Sequence, residues 1–214
     1  MTKNFFGIFL LTKLITFFIF FYVLIERHII LDIIRNMIVL AGASASGKTE
    51  VAKLLAKKYG ITKIVTTTTR AKRKGEVDGV DYFFVSPKKF EQMIHEGKFV
   101  EYTLYNGQMY GSTKDQIAPD KCVVIDPAGL RSYMALKDKS IVSFYLDADE
   151  DTRHNRMLSR GDDLEKIKSR IAHDREAFKK ENIVKVDYVI KNSSDDVLES
   201  VADQIYEIYK STSK

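Results

Sequence analysis

Hydrophobic positions along the chain gather into short apolar runs separated by stretches with helical spacing, the alternation expected of a parallel sheet wrapped by helices. Met37-Ile38-Val39-Leu40-Ala41 is the first run, short and continuous as a strand buried on both faces requires. Val51, Leu54, Leu55 and Tyr59 then recur at helical intervals, and Gly60 supplies the stop. Residues 63–66 read as a second strand running into Thr67-Thr68-Thr69-Arg70. Residues 71–81 are polar, contain Gly75 and Gly79 and lack a helical period, so they read as a loop excursion. Residues 82–85 are strand-like, and Ser86-Pro87 followed by Phe90, Met93 and Ile94 predicts a capped short helix. Residues 99–105, the turn pair Asn106-Gly107 and residues 108–110 predict a β-hairpin. The middle of the chain is therefore expected to be antiparallel, an insert in an alternating pattern. Residues 122–126 and 141–146 restart the buried strands, each followed by a helix. Residues 149–160 read as one helix, and Leu164, Ile167 and Ile171 mark another. Residues 188–190 form a last strand, and Val197, Leu198, Val201, Ile205 and Ile208 a final helix capped by Ser194.

The junction between the first strand and the first helix carries Gly42-Ala43-Ser44-Ala45-Ser46-Gly47-Lys48-Thr49, which satisfies G-x-x-x-x-G-K-[ST] in the strand–loop–helix setting that gives the pattern its meaning. Gly42 and Gly47 let the backbone bend so that several N–H groups aim at one point, where the helix N-terminus adds positive partial charge. These eight residues are expected to bind the polyphosphate of ATP. Lys48 is expected to reach the transferring phosphate, and the Thr49 hydroxyl to complete the shell of a Mg²⁺ ion held otherwise by phosphate oxygens and water. The expected fold class is α/β: a P-loop NTPase core on a central parallel five-stranded sheet, with an inserted mixed antiparallel subdomain and a helical lid.

Composition narrows the partners. Thirty-four Lys and Arg against 29 Asp and Glu give a net charge of +5, but the two signs are mixed along the chain. That pattern demands no nucleic-acid groove and suits a protein whose ligands are phosphates. A single cysteine, Cys122, excludes an internal disulfide and a zinc cluster and fits a reducing, cytoplasmic setting. The four histidines show no metal-ligand spacing. Residues 1–36 do not resemble the rest: residues 5–25 are rich in Phe, Ile and Leu, carry Lys13 as their only charge and are long enough to span a bilayer. They read either as an anchor to the cytoplasmic face of a membrane or as upstream sequence joined to a gene that starts at Met37. No small-residue cleavage site follows them, which disfavours a signal peptide. Residues 37–214 read as one domain.

Phosphoryl transfer is mostly positioning and neutralisation of spread negative charge, so arginines are the next candidates. Arg156 and Arg160 stand four apart on a predicted helix, Arg160-Gly161 opens a flexible turn, and Arg170 returns on the next helix. They suit a mobile lid; equally, they suit a solvated face paired with Asp162, Asp163 and Glu165. Asp126 ends an apolar run at the C-terminal edge of the parallel sheet, where it can hold Mg²⁺ waters. Its plainer reading is a turn residue before Pro127.

From Met37 onward the chain resembles guanylate kinases: Thr68-Thr69-Arg70, Arg73, Gly75-Glu76-Val77-Asp78-Gly79-Val80-Asp81-Tyr82, Glu101, Tyr110-Gly111-Ser112, and Arg160-Gly161 with Arg170 follow in that family's order. The resemblance implies ATP-dependent phosphorylation of a nucleoside monophosphate, GMP to GDP. It implies an acceptor-binding insert at about residues 67–118 and a lid at about 156–170. Arg70, Arg73, Tyr82 and Tyr110 would hold the acceptor phosphate, and Thr66, Glu101 and Ser112 the guanine. Lys48, Arg156, Arg160 and Arg170 would neutralise the transferring group. Chemistry agrees for Glu101, because guanine offers two N–H donors on one edge and a carboxylate accepts both. The chain departs from the family at Val124, where a second acidic residue is usual, at Ala128 in place of Gln, and at Thr66, Lys72 and Ala45. Val124 and Ala128 motivate a rival reading, a related kinase acting on another phosphorylated acceptor such as a sugar phosphate. A second rival is a non-catalytic binding module, against which the intact Gly47-Lys48-Thr49 argues.

Overall fold

Strand β1 (Met37–Ala41) is buried at all five positions, and it becomes the middle strand of a five-stranded parallel sheet of order β2-β7-β1-β8-β9. The structure, a computed structural model, describes residues 37–105, 107–179, 184–193 and 197–212. The expectations for residues 1–36, for the turn residue Asn106 and for the cap Ser194 lie outside the described residues. β7 (Lys121–Ile125) and β8 (Ile141–Asp147) flank β1, with Leu40 opposite Val124 on one side and Phe144 on the other. β2 (Thr62–Lys63) and β9 (Tyr188–Lys191) form the edges. Because successive residues of β1 face opposite sides, Ile38 and Leu40 join one core with Leu55, Phe144 and Ile205, while Met37, Val39 and Ala41 join a second with Leu130 and Tyr133. Each fully buried Leu, Ile or Val contributes about 1.5–3 kcal/mol, so this one strand anchors both layers.

The helices follow their sequence signals closely. α1 (Lys48–Tyr59) buries Val51, Ala52 and Leu55, and Gly60 ends it. Its last turn packs on α6 (Leu198–Thr212), where the Tyr59 and Tyr206 rings stack 3.7 Å apart and Asp203 accepts from both Lys58 and Tyr59. α2 (Pro87–His95) starts at Ser86, whose hydroxyl accepts the Lys89 N–H. α3 (Pro127–Ala135), α4 (Glu150–Ser159) and α5 (Leu164–Ala177) are capped in the same way by Asp126, Asp149 and Asp163.

A second sheet, of order β4-β3-β6-β5, is built by the insert. β5 (Phe99–Tyr105) and β6 (Gln108–Thr113) form the expected hairpin, longer than its sequence signal because Gly111, Ser112 and Thr113 continue the ladder. Gly111 is required there: a Cβ would meet the Phe99 ring at 2.7 Å. Two expectations change. The predicted strand over residues 63–66 is divided, with Thr62–Lys63 in the first sheet and β3 (Thr67–Thr68) in the second. The Val65 N–H is taken by the Gln116 side chain at 3.2 Å, so the ladder breaks there and the chain crosses between sheets. β4 (Phe83–Phe84) then pairs with β3 in parallel, so the insert is not antiparallel throughout but is the mixed sheet of the expected fold class. The 71–81 excursion is cinched by its own acids: Glu76 accepts from the Arg73 N–H, Asp78 from the Phe84 N–H and Asp81 from the Val77 N–H.

Candidate functional site

Two cavities open at the C-terminal edge of the parallel sheet, and they share Ile125, Asp126 and Ala128. The first, about 750 Å³, is bounded by Gly42, Ser44 and Lys48 of the loop after β1 and by Arg131, His173 and Asp174. The second, about 490 Å³, lies between that edge and the insert and is lined by Thr66, Glu101, Tyr110, Ser112 and Val124. A switch of the chain from β1 to α1 on one side of the strand and from β7 to α3 on the other makes this crevice, the usual ligand position of an open α/β sheet.

In the first cavity the loop is tightly turned. Gly47 sits at φ 97°, where a Cβ would also meet the Asn192 amide at 2.4 Å. Ala45 is held at φ 61°, a left-handed conformation that costs an alanine on the order of 1 kcal/mol; its methyl packs against Met157, Ile167 and Ile171. The Lys48 ammonium lies within the hollow and donates to the carbonyls of Gly42 at 2.6 Å and Ala43 at 2.8 Å. Burial lowers this amine from 10.5 to about 8, with the Asp174 carboxylate opposing and Arg153 assisting that shift. Thr49 is exposed on the first turn of α1, and Asp126 is exposed at the rim with one oxygen accepting the Gly129 N–H at 2.8 Å.

In the second cavity the Ser112 hydroxyl donates to Glu101 Oε1 at 2.5 Å. Burial raises the Glu101 carboxyl, the Ser112 hydrogen bond opposes this, and the Asp126 charge raises it further. Beyond Tyr110 lie two of the three other phosphate-binding candidates of the insert: Tyr82 meets the Tyr110 ring edge-on at 6.1 Å, and the Arg70 guanidinium covers the Tyr82 ring at 5.3 Å. Arg70 is oriented by Glu76, to which its Nη2 donates at 2.6 Å. Arg73 gives its backbone N–H to the same carboxylate, and its side chain is exposed.

The structure thus brings Thr66, Glu101, Tyr110 and Ser112 to one cavity, and Gly42, Ser44 and Lys48 to the other, with Asp126 common to both. Of the three arginines expected in a lid, Arg156 alone among the described residues reaches the loop, through the Ala45 carbonyl at 3.4 Å, and it is held by Asn192 and Ser193. Arg160 and Arg170 converge on Asp162 instead, at 2.5 and 3.2 Å, the surface pairing that their spacing equally allowed. Sequence reasoning passed over Asn192, whose buried amide donates to the Ser46 carbonyl at 2.7 Å, and Asp174, which accepts the Ser44 N–H at 2.8 Å. A signal for Asp174 was present: it continues the inward stripe Ile167, Ile171, a place where an acid needs a reason.

Among the described residues no three His, Cys, Asp or Glu side chains group to hold a metal ion, and no helix is long and apolar enough to cross a membrane. The sequence profile of the family described as guanylate kinase matches residues 34–208. A guanylate kinase of Anaplasma phagocytophilum is 35% identical over 81% of this chain and 85% of its own length, and one of Symbiobacterium thermophilum is 32% identical over 78% and 81%. A crystal structure of guanylate kinase from A. phagocytophilum superposes with a TM-score of 0.53 at 28% identity, covering 83% of this chain and 86% of its own. With a glycine-bent loop lining one cavity, the insert lining the other and a carboxylate shared between them at the sheet edge, and with this extent of similarity, the chain belongs to the guanylate kinase family.

Proposed function

We propose that the chain transfers the γ-phosphoryl group of ATP to GMP, giving ADP and GDP, with the triphosphate on the loop after β1 and the acceptor under the insert. The observation that carries this is the meeting of the two cavities at Asp126 and Ala128, which lets a donor and an acceptor phosphate face each other without a covalent intermediate. An oxygen of the acceptor phosphate attacks the γ-phosphorus, and the bond to the β–γ bridging oxygen breaks as ADP leaves.

Protein groups do the positioning. The Lys48 ammonium exchanges the carbonyls of Gly42 and Ala43 for phosphate oxygens, while N–H groups of the loop and the start of α1 receive the rest of the triphosphate. Arg156 already stands against the loop; Arg160 and Arg170 leave Asp162 and add their charge when the turn between α4 and α5 closes. The hydroxyl of Thr49 and the carboxylate of Asp126 are hard oxygen donors, suited to a Mg²⁺ ion that arrives with the nucleotide. Once bound, that ion neutralises charge on the β- and γ-phosphates.

On the acceptor side, Glu101 accepts the two N–H groups of guanine's N1–N2 edge, Thr66 and Ser112 meet the same ring, and Arg70, Arg73, Tyr82 and Tyr110 hold the phosphate. Binding replaces the Ser112–Glu101 hydrogen bond of the free site. Adenine has an acceptor where guanine has the N1–H and would leave the carboxylate unpaired. The wall at Val124 is apolar, so Glu101 carries the base reading largely alone. ADP release measured on protein beginning at Met37, with GMP, dGMP, AMP, CMP, UMP and sugar phosphates as acceptors, tests this. Turnover highest with GMP is expected. Preference for a sugar phosphate would assign another acceptor, and no turnover with any of them would assign a binding module.

A further inference from the structure

We infer that Asp174, neutralised by Arg153, is a positioning residue for MgATP: it holds the phosphate loop in its nucleotide-binding shape by accepting both hydrogen bonds of Ser44. Asp174 Oδ2 accepts the Ser44 N–H at 2.8 Å, Oδ1 accepts its hydroxyl at 3.3 Å, and Arg153 Nη1 donates to Oδ2 at 2.9 Å. The side chains of Arg153 and Asp174 are only 8% and 6% exposed. Such a pair is costly to bury and is often replaceable by apolar residues without loss of stability, so its presence calls for something beyond packing.

That purpose is legible in what surrounds it. Ala45, next to Ser44, is strained at φ 61°, and strained backbone persists only where neighbours over-determine it. Here the neighbours all come from α4 and α5. Asp174 holds Ser44, Arg156 donates to the Ala45 carbonyl, and Met157, Ile167 and Ile171 pack on the Ala45 methyl. With its N–H turned to Asp174, Ser44 does not offer it to the triphosphate, and the loop's later N–H groups are left to do so. A bare carboxylate beside Lys48 would repel the nucleotide. Arg153 removes that penalty through Nη1, and its Nε has no partner among the described residues.

The inference rests on the loop being the ATP site, and the experiment separates the two. The double variant Arg153→Leu/Asp174→Ala removes the pair without changing net charge, so altered binding cannot come from a change in overall charge. Expected is a melting temperature near that of the parent, a rise of about tenfold in KM for MgATP from the lost Ser44 contacts, and an unchanged KM for GMP. Arg153→Met/Asp174→Asn, equally neutral but with an amide oxygen that can still accept the Ser44 N–H, should recover most of that loss. MgATP binding equal to the parent's in the Leu/Ala variant overturns the inference, and failure of the parent itself to bind MgATP overturns the assignment of the loop. Should the Leu/Ala variant not fold, amide exchange at Ser44 in the parent decides: protection without nucleotide supports the clamp, and free exchange overturns it.

Discussion

The Lys48 ammonium donates to the Gly42 carbonyl at 2.6 Å, so the loop's own backbone holds the place that the proposed function gives to a triphosphate oxygen. Burial holds that amine at about 8, against 10.5 for an exposed lysine. Between those values the unfolded chain binds more protons than the folded one, so stability rises with pH across that window by about 3 kcal/mol and is lost again as pH falls through 8. Phosphate contact favours the charged form, and MgATP binding at pH 8.5 should therefore take up more than about half a proton. Calorimetric titration in two buffers of different ionisation enthalpy measures this uptake. It should vanish in Lys48→Met, and a parent protein that takes up no proton contradicts the placement of Lys48 at the phosphates.

Glu101 lies between burial, which raises its carboxyl, and Ser112, which holds it as an anion. Guanine requires the ionised form, so KM for GMP should climb as pH falls, beginning above the pH at which an ordinary glutamate with a pKa of 4.5 titrates. Glu101→Gln replaces one acceptor oxygen with a donor and should lower kcat/KM for GMP on the order of a hundredfold. KM for ATP should stay near its original value. Equal loss in both substrates, read from steady-state kinetics, would show that Glu101 supports the fold instead of reading the base.

Arg160 pairs with Asp162 at 2.5 Å, yet its side chain is 47% exposed, and exposed ion pairs add little to stability. Its worth should lie in the transition state. Arg160→Ala is expected to lower kcat on the order of a hundredfold while the melting temperature stays within about 2 °C. The opposite pattern, a lower melting temperature with kcat kept, would favour the surface-pairing role that its spacing also permits.

Elements whose signal is local were readable from residue order: β1 as an unbroken apolar run, the loop from Gly42 to Thr49, and the cap Ser86. What was not readable depends on distant partners. The break after residue 64 is decided by Gln116, fifty-one positions from Val65, and the parallel pairing of Thr67 with Phe83 by a loop whose acids bind its own backbone. At the site the same division holds. Glu101 and Ser112, which the resemblance assigns together to the guanine, face each other across β5 and β6, whereas the Asp174–Ser44 contact joins residues 130 positions apart and depends on how α5 meets the loop. Glu76 lies within the run from Gly75 to Tyr82, but its role in orienting Arg70 follows only from the turn that brings them to 2.6 Å.

Tyr133 is fully buried in the core beneath β1 and β7, and among the described residues its hydroxyl has no partner at hydrogen-bond geometry. Burial pushes the phenol up to about 12; the Ser112 hydroxyl is near enough to moderate that shift, and the Glu101 charge adds to it. A buried hydroxyl without a partner costs about 1–3 kcal/mol, and removing it while keeping the ring avoids a cavity. Tyr133→Phe should therefore raise stability by about 1 kcal/mol, seen as a higher urea midpoint at unchanged m. A lower midpoint would mean that the hydroxyl is bonded after all, with Ser112 the nearest candidate. Then KM for GMP should rise as well, because the serine that faces guanine would have lost the group behind it.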